Sequence, residues 1–170
     1  MSLLEKLDQA AAARKAQLPG GIGAFGIPIE AIYSATEARI EGRKILLFGT
    51  NNYLGLSFSS ECREAAHAAI DEEGTGTTGS RMANGNYSGH RALEAEFADF
   101  YHCRSSIVFT TGYQANLGTI SALLGKGDVA LIDGDSHASI YDGCILSGAD
   151  IIRFRHNDKD DLEKRLRRLG

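Results

Sequence analysis

At 170 residues, 43% hydrophobic and 24% charged, the chain has the composition of one soluble globular unit. A net charge of -4 argues against a nucleic-acid-binding domain, which carries a basic excess. Cys62, Cys103 and Cys144 form no CxxC pair and leave an odd count, which points to buried thiols in a reducing cytosol rather than a disulfide framework.

Residues 2 to 17 are Ala-rich, with Leu3, Leu4 and Leu7 on one helical face, and Pro19-Gly20-Gly21 ends the pattern. A helix this short is marginal alone and needs a packing partner. Glu5 and Asp8 stand where a signal peptide needs an apolar core, and no run is long enough to span a bilayer. The expectation is a cytoplasmic protein, with peripheral membrane contact left open.

Ala38-Arg39-Ile40 and Ile45-Leu46-Leu47-Phe48 flank Glu41-Gly42-Arg43 and predict a hairpin. Asn51 to Leu56 then reads as a loop before a helix near residues 60 to 72, capped by Ser59 or Ser60 and closed by Gly74. The stretch Gly74 to Gly85 holds many glycines and no strand period, so it is an irregular loop. It lacks the lysine of a P-loop, which disfavours a nucleoside triphosphate. Glycine content alone leaves open whether this loop is mobile or is shaped for an active site or a subunit interface.

Beyond residue 90 the alternation becomes regular. Leu93, Phe97 and Phe100 keep helical spacing, and Ser106-Ile107-Val108-Phe109 predicts a buried strand. A helix over 113–124, a strand over 128–132, a helix over 137–147 and a strand at 151–154 follow. Asn157 opens a last helix, acidic at its start and basic at its end, as the macrodipole prefers. This order predicts an α/β fold, with a mostly parallel sheet and helices on both faces. Residues 1–57 form the arm, helix and hairpin, and residues 58–170 the layered domain.

Two motifs sit one βα unit apart at carboxyl ends of predicted strands, where such sheets bind ligands. The first is Phe109-Thr110-Thr111-Gly112-Tyr113-Gln114-Ala115-Asn116. Gly112 lets a ligand approach the backbone, the amides of Gly112 and Tyr113 point outward at a helix N-terminus, and Thr110 and Thr111 add hydroxyls. The second is Asp133-Gly134-Asp135-Ser136-His137-Ala138-Ser139. His137 has no ligand partner at metal spacing, so it reads either as a helix cap or as a ring stacked on a cofactor. A phosphate at the first turn and an aromatic ring under His137 fit one ligand.

Five stretches in series resemble the α-oxoamine synthases, pyridoxal-phosphate enzymes of fold type I. They are NNYLGL (51–56), GTGTTGSRMANG (74–85), His90 with Leu93-Glu94, FTTGYQAN (109–116) and DGDSHASIYDG (133–143). GTTGSRMANG, DSHASIYDGC and RFRHND (153–158) are most similar to the serine-using branch, the bacterial serine palmitoyltransferases. The resemblance implies pyridoxal 5'-phosphate as cofactor, with the backbone of Gly112 and Tyr113 and the Thr111 hydroxyl at its phosphate. It implies His137 as the catalytic residue that stacks on the ring and orients the amino acid. Asn52 and Tyr53 then border the substrate or the partner subunit, Thr78 and Arg81 lie in an interface loop, and Asn116 fixes the turn.

The implied reaction is a decarboxylative condensation of L-serine with a long-chain acyl thioester, carried by coenzyme A or an acyl carrier protein, in a homodimer. The family's Schiff-base lysine comes from a later motif. None of Lys6, Lys15, Lys44, Lys126, Lys159 and Lys164 has a resembling context, and Lys126 sits in a turn-like Gly-Lys-Gly. On this resemblance, residues 58–170 are the first part of the cofactor domain, and the 170 residues alone are expected to be inactive. A non-catalytic fragment or partner subunit is the rival expectation, and an 8-amino-7-oxononanoate synthase or glycine C-acetyltransferase is the third.

Overall fold

Ser2 and Glu5 start the first helix. The Ser2 amide donates to Glu5 Oε2 at 2.6 Å and the Glu5 amide donates to Ser2 Oγ at 3.2 Å, a reciprocal capping pair. Helix α1 then runs Leu3–Gln17. The computed structural model describes residues 2–17 and 26–170, so the helix stop expected at Pro19-Gly20-Gly21 lies outside the described residues. Leu3, Leu4 and Leu7 are exposed, so among the described residues nothing covers this apolar stripe.

The chain divides into two compact units, Met1–Gly76 and Thr77–Gly170. The first contains an antiparallel sheet of β1 (Ala31–Ile32), β2 (Glu37–Ile40) and β3 (Arg43–Leu46). Ile40 pairs with Arg43, which leaves Glu41-Gly42 as a two-residue turn. Both have positive φ, +49° and +72°, the twist that matches two right-twisted strands. The expected hairpin is therefore present, and β1 is an addition that the short Ala31-Ile32 pair did not announce. Glu30 fastens it, accepting from the Arg39 Nε at 3.0 Å and the Gly42 amide at 3.1 Å. Helix α2 (Ser60–Glu73) is capped by Ser59, whose hydroxyl accepts from the Cys62 amide, and ends at Gly74 with φ +84°. A 3-10 turn at Leu56–Phe58 precedes it.

The second unit holds α3 (Ser88–Phe100), α4 (Gly112–Leu123), β4 (Val129–Asp133), α5 (Ala138–Ser147), β5 (Asp150–Phe154) and α6 (Lys159–Leu166). Strands β4 and β5 are parallel, in register from Val129 opposite Asp150 to Asp133 opposite Phe154. The α/β reading stands. Residues 106–109 depart from expectation: they pair with no strand among the described residues. At Val108, side chains take both backbone groups. Its amide donates to Glu94 Oε1 at 2.9 Å, and its carbonyl accepts from Arg81 Nη1 at 3.2 Å.

Helices α4 and α5 pack at a glycine. A Cβ on Gly143 would sit 2.9 Å from the Ile120 Cβ and 3.3 Å from the Asn116 carbonyl. Gly118, on α4, makes the same allowance for the Phe109 ring, 2.9 Å from where its Cβ would stand. Ser139 and Cys144 are buried on α5, and Ile132 is buried on β4. Of the three thiols only Cys144 is buried, so the expectation for Cys62 and Cys103 fails. Those two lie on α2 and just past α3, on surface the described residues leave open.

Adding a methyl at this crossing must push the helices apart. Gly143→Ala is expected to cost roughly 1–3 kcal/mol, the range for overpacking a close contact. Gly89→Ala, where a Cβ meets nothing within 4 Å, is the matched control; equal thermal midpoints for the two variants would refute the close-packing account.

Candidate functional site

The two motifs singled out by sequence come together in the second unit. Thr111 is the N-cap of α4, its Oγ1 accepting from the Gln114 amide at 3.2 Å. The Ala115 amide donates to the Thr111 carbonyl. The amides of Gly112 and Tyr113 donate to no acceptor among the described residues. Two free donors at the positive end of a helix form an anion-binding arrangement. A Cβ on Gly112 would meet nothing within 4 Å, so the space beside these amides is open.

His137 is the N-cap of α5, its Nδ1 accepting from the Ser139 amide at 3.2 Å. The bland alternative for this residue, a helix cap, is therefore real. The cap also fixes the ring. Tyr113 stands edge-on to it, with centroids 6.2 Å apart and planes at 78°. Tyr113 Oη in turn donates to the Asp142 carboxylate, and that acceptor pushes the phenol's pKa above its ordinary value. One ring edge, one ring face and two free amides thus border the same α4–α5 pair. The arrangement fits a planar ring carrying a phosphate.

Asp133, at the carboxyl end of β4, organises the turn that leads to His137. Its carboxylate accepts from the Asp135 amide at 2.9 Å, the Asn157 amide at 3.0 Å and His156 Nδ1 at 2.9 Å. The two amides, then His156, lower its pKa from 3.8 to about 2. Asp133 in turn raises His156 above its ordinary value. Tyr141 Oη donates to the carbonyls of Asp133 at 3.0 Å and Gly134 at 3.2 Å, and Arg153 lies over the Tyr141 ring at 5.4 Å. The motif RFRHND therefore serves the DGDSH turn, bracing it from β5. Sequence reading noted both stretches but gave no sign that they meet.

The glycine-rich loop is shaped. A Cβ on Gly85 would collide with the Gly79 carbonyl, so two glycine backbones lie in contact. Arg81 is tied to Glu94 at 2.5 Å, to Asn86 Oδ1 at 2.7 Å and to the Val108 carbonyl. The Arg81 guanidinium and the Val108 amide hold Glu94 down from 4.5 to about 2. Arg81 is thus committed to structure, and Thr78 is exposed. Lys126 is exposed in the turn before β4. In the first unit, Tyr53 is exposed, its hydroxyl donating to Asn51 Oδ1 at 3.3 Å, while Asn52 Oδ1 accepts from the Ser57 amide at 3.3 Å.

Residues 43–169 match the family described as Aminotransferase class I and II. A serine palmitoyltransferase of Caulobacter vibrioides (strain NA1000 / CB15N) is 55% identical over 150 residues, covering 88% of this chain and 37% of that protein. An 8-amino-7-oxononanoate synthase of Lysinibacillus sphaericus is 46% identical over 132 residues, covering 78% and 34%. Among solved structures, Sphingomonas wittichii serine palmitoyltransferase superposes with a TM-score of 0.89 at 52% identity, over 100% of this chain and 43% of that one. The S. paucimobilis enzyme, with a bound PLP–myriocin ligand, superposes with a TM-score of 0.90 at 47% identity over the same shares. The chain therefore spans about two fifths of the length of these proteins, and its fold is part of theirs.

Two outcomes test the site. Gly112→Val puts a side chain into open space, so stability is expected to hold while pyridoxal phosphate binding weakens about tenfold or more; titration of the complete protein followed by absorbance reads it. Asp133 has a depressed pKa, so its stabilisation is present above about 3.8 and is lost as pH falls towards about 2. His156 has a raised pKa, so the pair's part is full below 6.5 and lost as pH rises through the raised value. The melting difference between the native protein and Asp133→Asn should therefore be widest between these limits; a flat difference would refute the pairing.

Proposed function

The chain belongs to the aminotransferase class I and II family, in its α-oxoamine synthase branch, and from that membership we propose that it supplies one half of a pyridoxal-phosphate site condensing L-serine with a long-chain acyl thioester. One observation carries the reading. Two free amides stand beside open space at the start of α4, and the capped histidine at the start of α5 lies against one of them, its ring 6.2 Å from that of Tyr113. Other support is the likeness to serine palmitoyltransferases along most of the chain.

In this reading the amides of Gly112 and Tyr113 and the hydroxyl of Thr111 donate to the cofactor phosphate. His137 stacks on the pyridine ring and donates to an oxygen of the amino acid. When bound, pyridoxal phosphate supplies the electron sink that lets the amino acid's α-carbon become a nucleophile. Asn52 and Tyr53 border the substrate or the partner subunit. Thr78 and Arg81 shape the interface loop of a homodimer. The chain's own part is to bind, orient and exclude water; we place the Schiff-base lysine outside residues 1–170, so these residues alone are inactive. Residues 1–57 are the arm and 58–170 the first part of the cofactor domain. Carbon dioxide leaves, and the acyl donor is coenzyme A or an acyl carrier protein. Among the described residues no helix is long and apolar enough to cross a membrane, and we place the protein in the cytoplasm, with peripheral contact at a membrane surface left open.

The likeness to an 8-amino-7-oxononanoate synthase at 46% identity favours a second amino acid as the one alternative. Assaying the complete protein with labelled L-serine, against other small amino acids, separates the two. Carbon dioxide release that requires serine and a long-chain thioester together supports the proposal; release with another amino acid and not serine replaces it. His137→Phe keeps an aromatic face, so cofactor affinity should hold while kcat/KM for serine falls about 100-fold, the cost of a misplaced reacting group. Unchanged turnover would remove the role given to His137.

A further inference from the structure

The polar chain behind His137 has a direction. Ser139 is fully buried, and its hydroxyl has two partners: Asn116 Nδ2 at 2.9 Å and His137 Nδ1 at 2.7 Å. The Ser139 backbone amide also points at His137 Nδ1, at 3.2 Å. A backbone N–H can only donate, so Nδ1 must carry its lone pair and the ring proton sits on Nε2.

That assignment fixes the rest. The Ser139 hydroxyl faces a lone pair at 2.7 Å and must donate to it. Its oxygen then accepts from Asn116, which sets the amide nitrogen inward. The reversed Asn116 rotamer would draw the hydroxyl proton away and leave two lone pairs opposed at 2.7 Å. The order runs Asn116 N–H to Ser139 O–H to His137 Nδ1, anchored by an amide that cannot flip. Nε2 bonds nothing among the described residues, and His137 is exposed. The titratable groups beside it, Tyr113 on α4 and Asp142 on α5, bond each other and not the imidazole.

We propose that Asn116 and Ser139 are positioning residues for His137, holding its imidazole as the neutral Nε2–H tautomer so that its free nitrogen is always a donor. The proposal rests on the reading of His137 as the residue that meets the amino acid. A donor there recognises a carboxylate or carbonyl oxygen; the other tautomer would oppose that oxygen with a lone pair. The close packing at Gly143 is what brings Asn116 within reach, because its carbonyl and Ile120 are the atoms a side chain there would strike.

The test is nitrogen-15 NMR of histidine-labelled complete protein without cofactor, with the His137 signals identified by their loss in His137→Phe. The expected native spectrum shows an unprotonated Nδ1 and a protonated Nε2. Asn116→Asp is isosteric, but its carboxylate accepts the Ser139 O–H, so the hydroxyl no longer donates to Nδ1. The Nδ1 signal is therefore expected to shift in this variant, because the ring nitrogen loses one of its two donors while the Ser139 amide stays. In the loaded enzyme, Asn116→Asp and Ser139→Ala should lower kcat/KM for the amino acid about 10- to 100-fold, with cofactor affinity held; Ser139→Thr, which keeps the hydroxyl, should restore most of it. A native Nδ1–H, or an Nδ1 signal unmoved by Asn116→Asp, overturns the proposal. The spectra are independent of turnover, so they stand apart from failure of the serine reading, which the His137→Phe kinetics would show.

Discussion

The close crossing of α4 on α5 is the constraint on which the rest depends. Interiors tolerate little extra volume, and Gly143 leaves a gap that no side chain fits. The crossing delivers three things at once. It buries Ser139, brings Asn116 to it, and sets the two helix N-termini side by side. One offers free amides and the other an aromatic ring. A phosphate and a ring joined in one ligand need such a pair of ends at a fixed spacing. A loop does not hold such a spacing without rigid elements behind it.

Around this crossing, ionic and polar side chains do work usually left to strands. Asp133 accepts three hydrogen bonds and joins the turn after β4 to the end of β5. Arg81 and Glu94 hold both backbone groups of Val108, leading into the Thr110-Thr111-Gly112 turn. A half-buried ion pair contributes little as a bare charge pair, because desolvation offsets the attraction. Its value here is geometric: each carboxylate also accepts backbone amides, so the charges decide where a chain segment lies. The glycine-rich loop is consequently tied to the segment that feeds the anion site.

Local signals were the legible ones. Ser59, Gly74 and the Glu41-Gly42 turn announced their elements because capping and turn chemistry act over a few residues. The helices around residues 90 to 145 followed from apolar spacing. The segment 106–109 reads as a strand by composition, yet pairing is a relation between segments, and no apolar pattern states that Val108 will be held by Arg81 and Glu94. The same limit hid Ser139 and His156. A serine two residues after a histidine is ordinary, and its meaning depends on Asn116 from another helix. For His137 the residue's position was readable and its tautomer was not.

The distribution of exposed apolar groups separates the parts of this chain that are finished from those that need covering. The crossing and the β4–β5 turn satisfy their buried side chains internally: among the described residues no buried side-chain nitrogen or oxygen lacks a partner. Elsewhere Phe48, Tyr53, Leu54, Phe100, Ile107 and Leu146 lie open. Contiguous apolar surface can be covered by a ligand, a membrane or other protein. The contrast has a physical logic. The free amides and the histidine are brought together by contacts between two helices, Asn116 with Ser139, Ile120 with Gly143 and Tyr113 with Asp142, so the crossing itself sets their spacing.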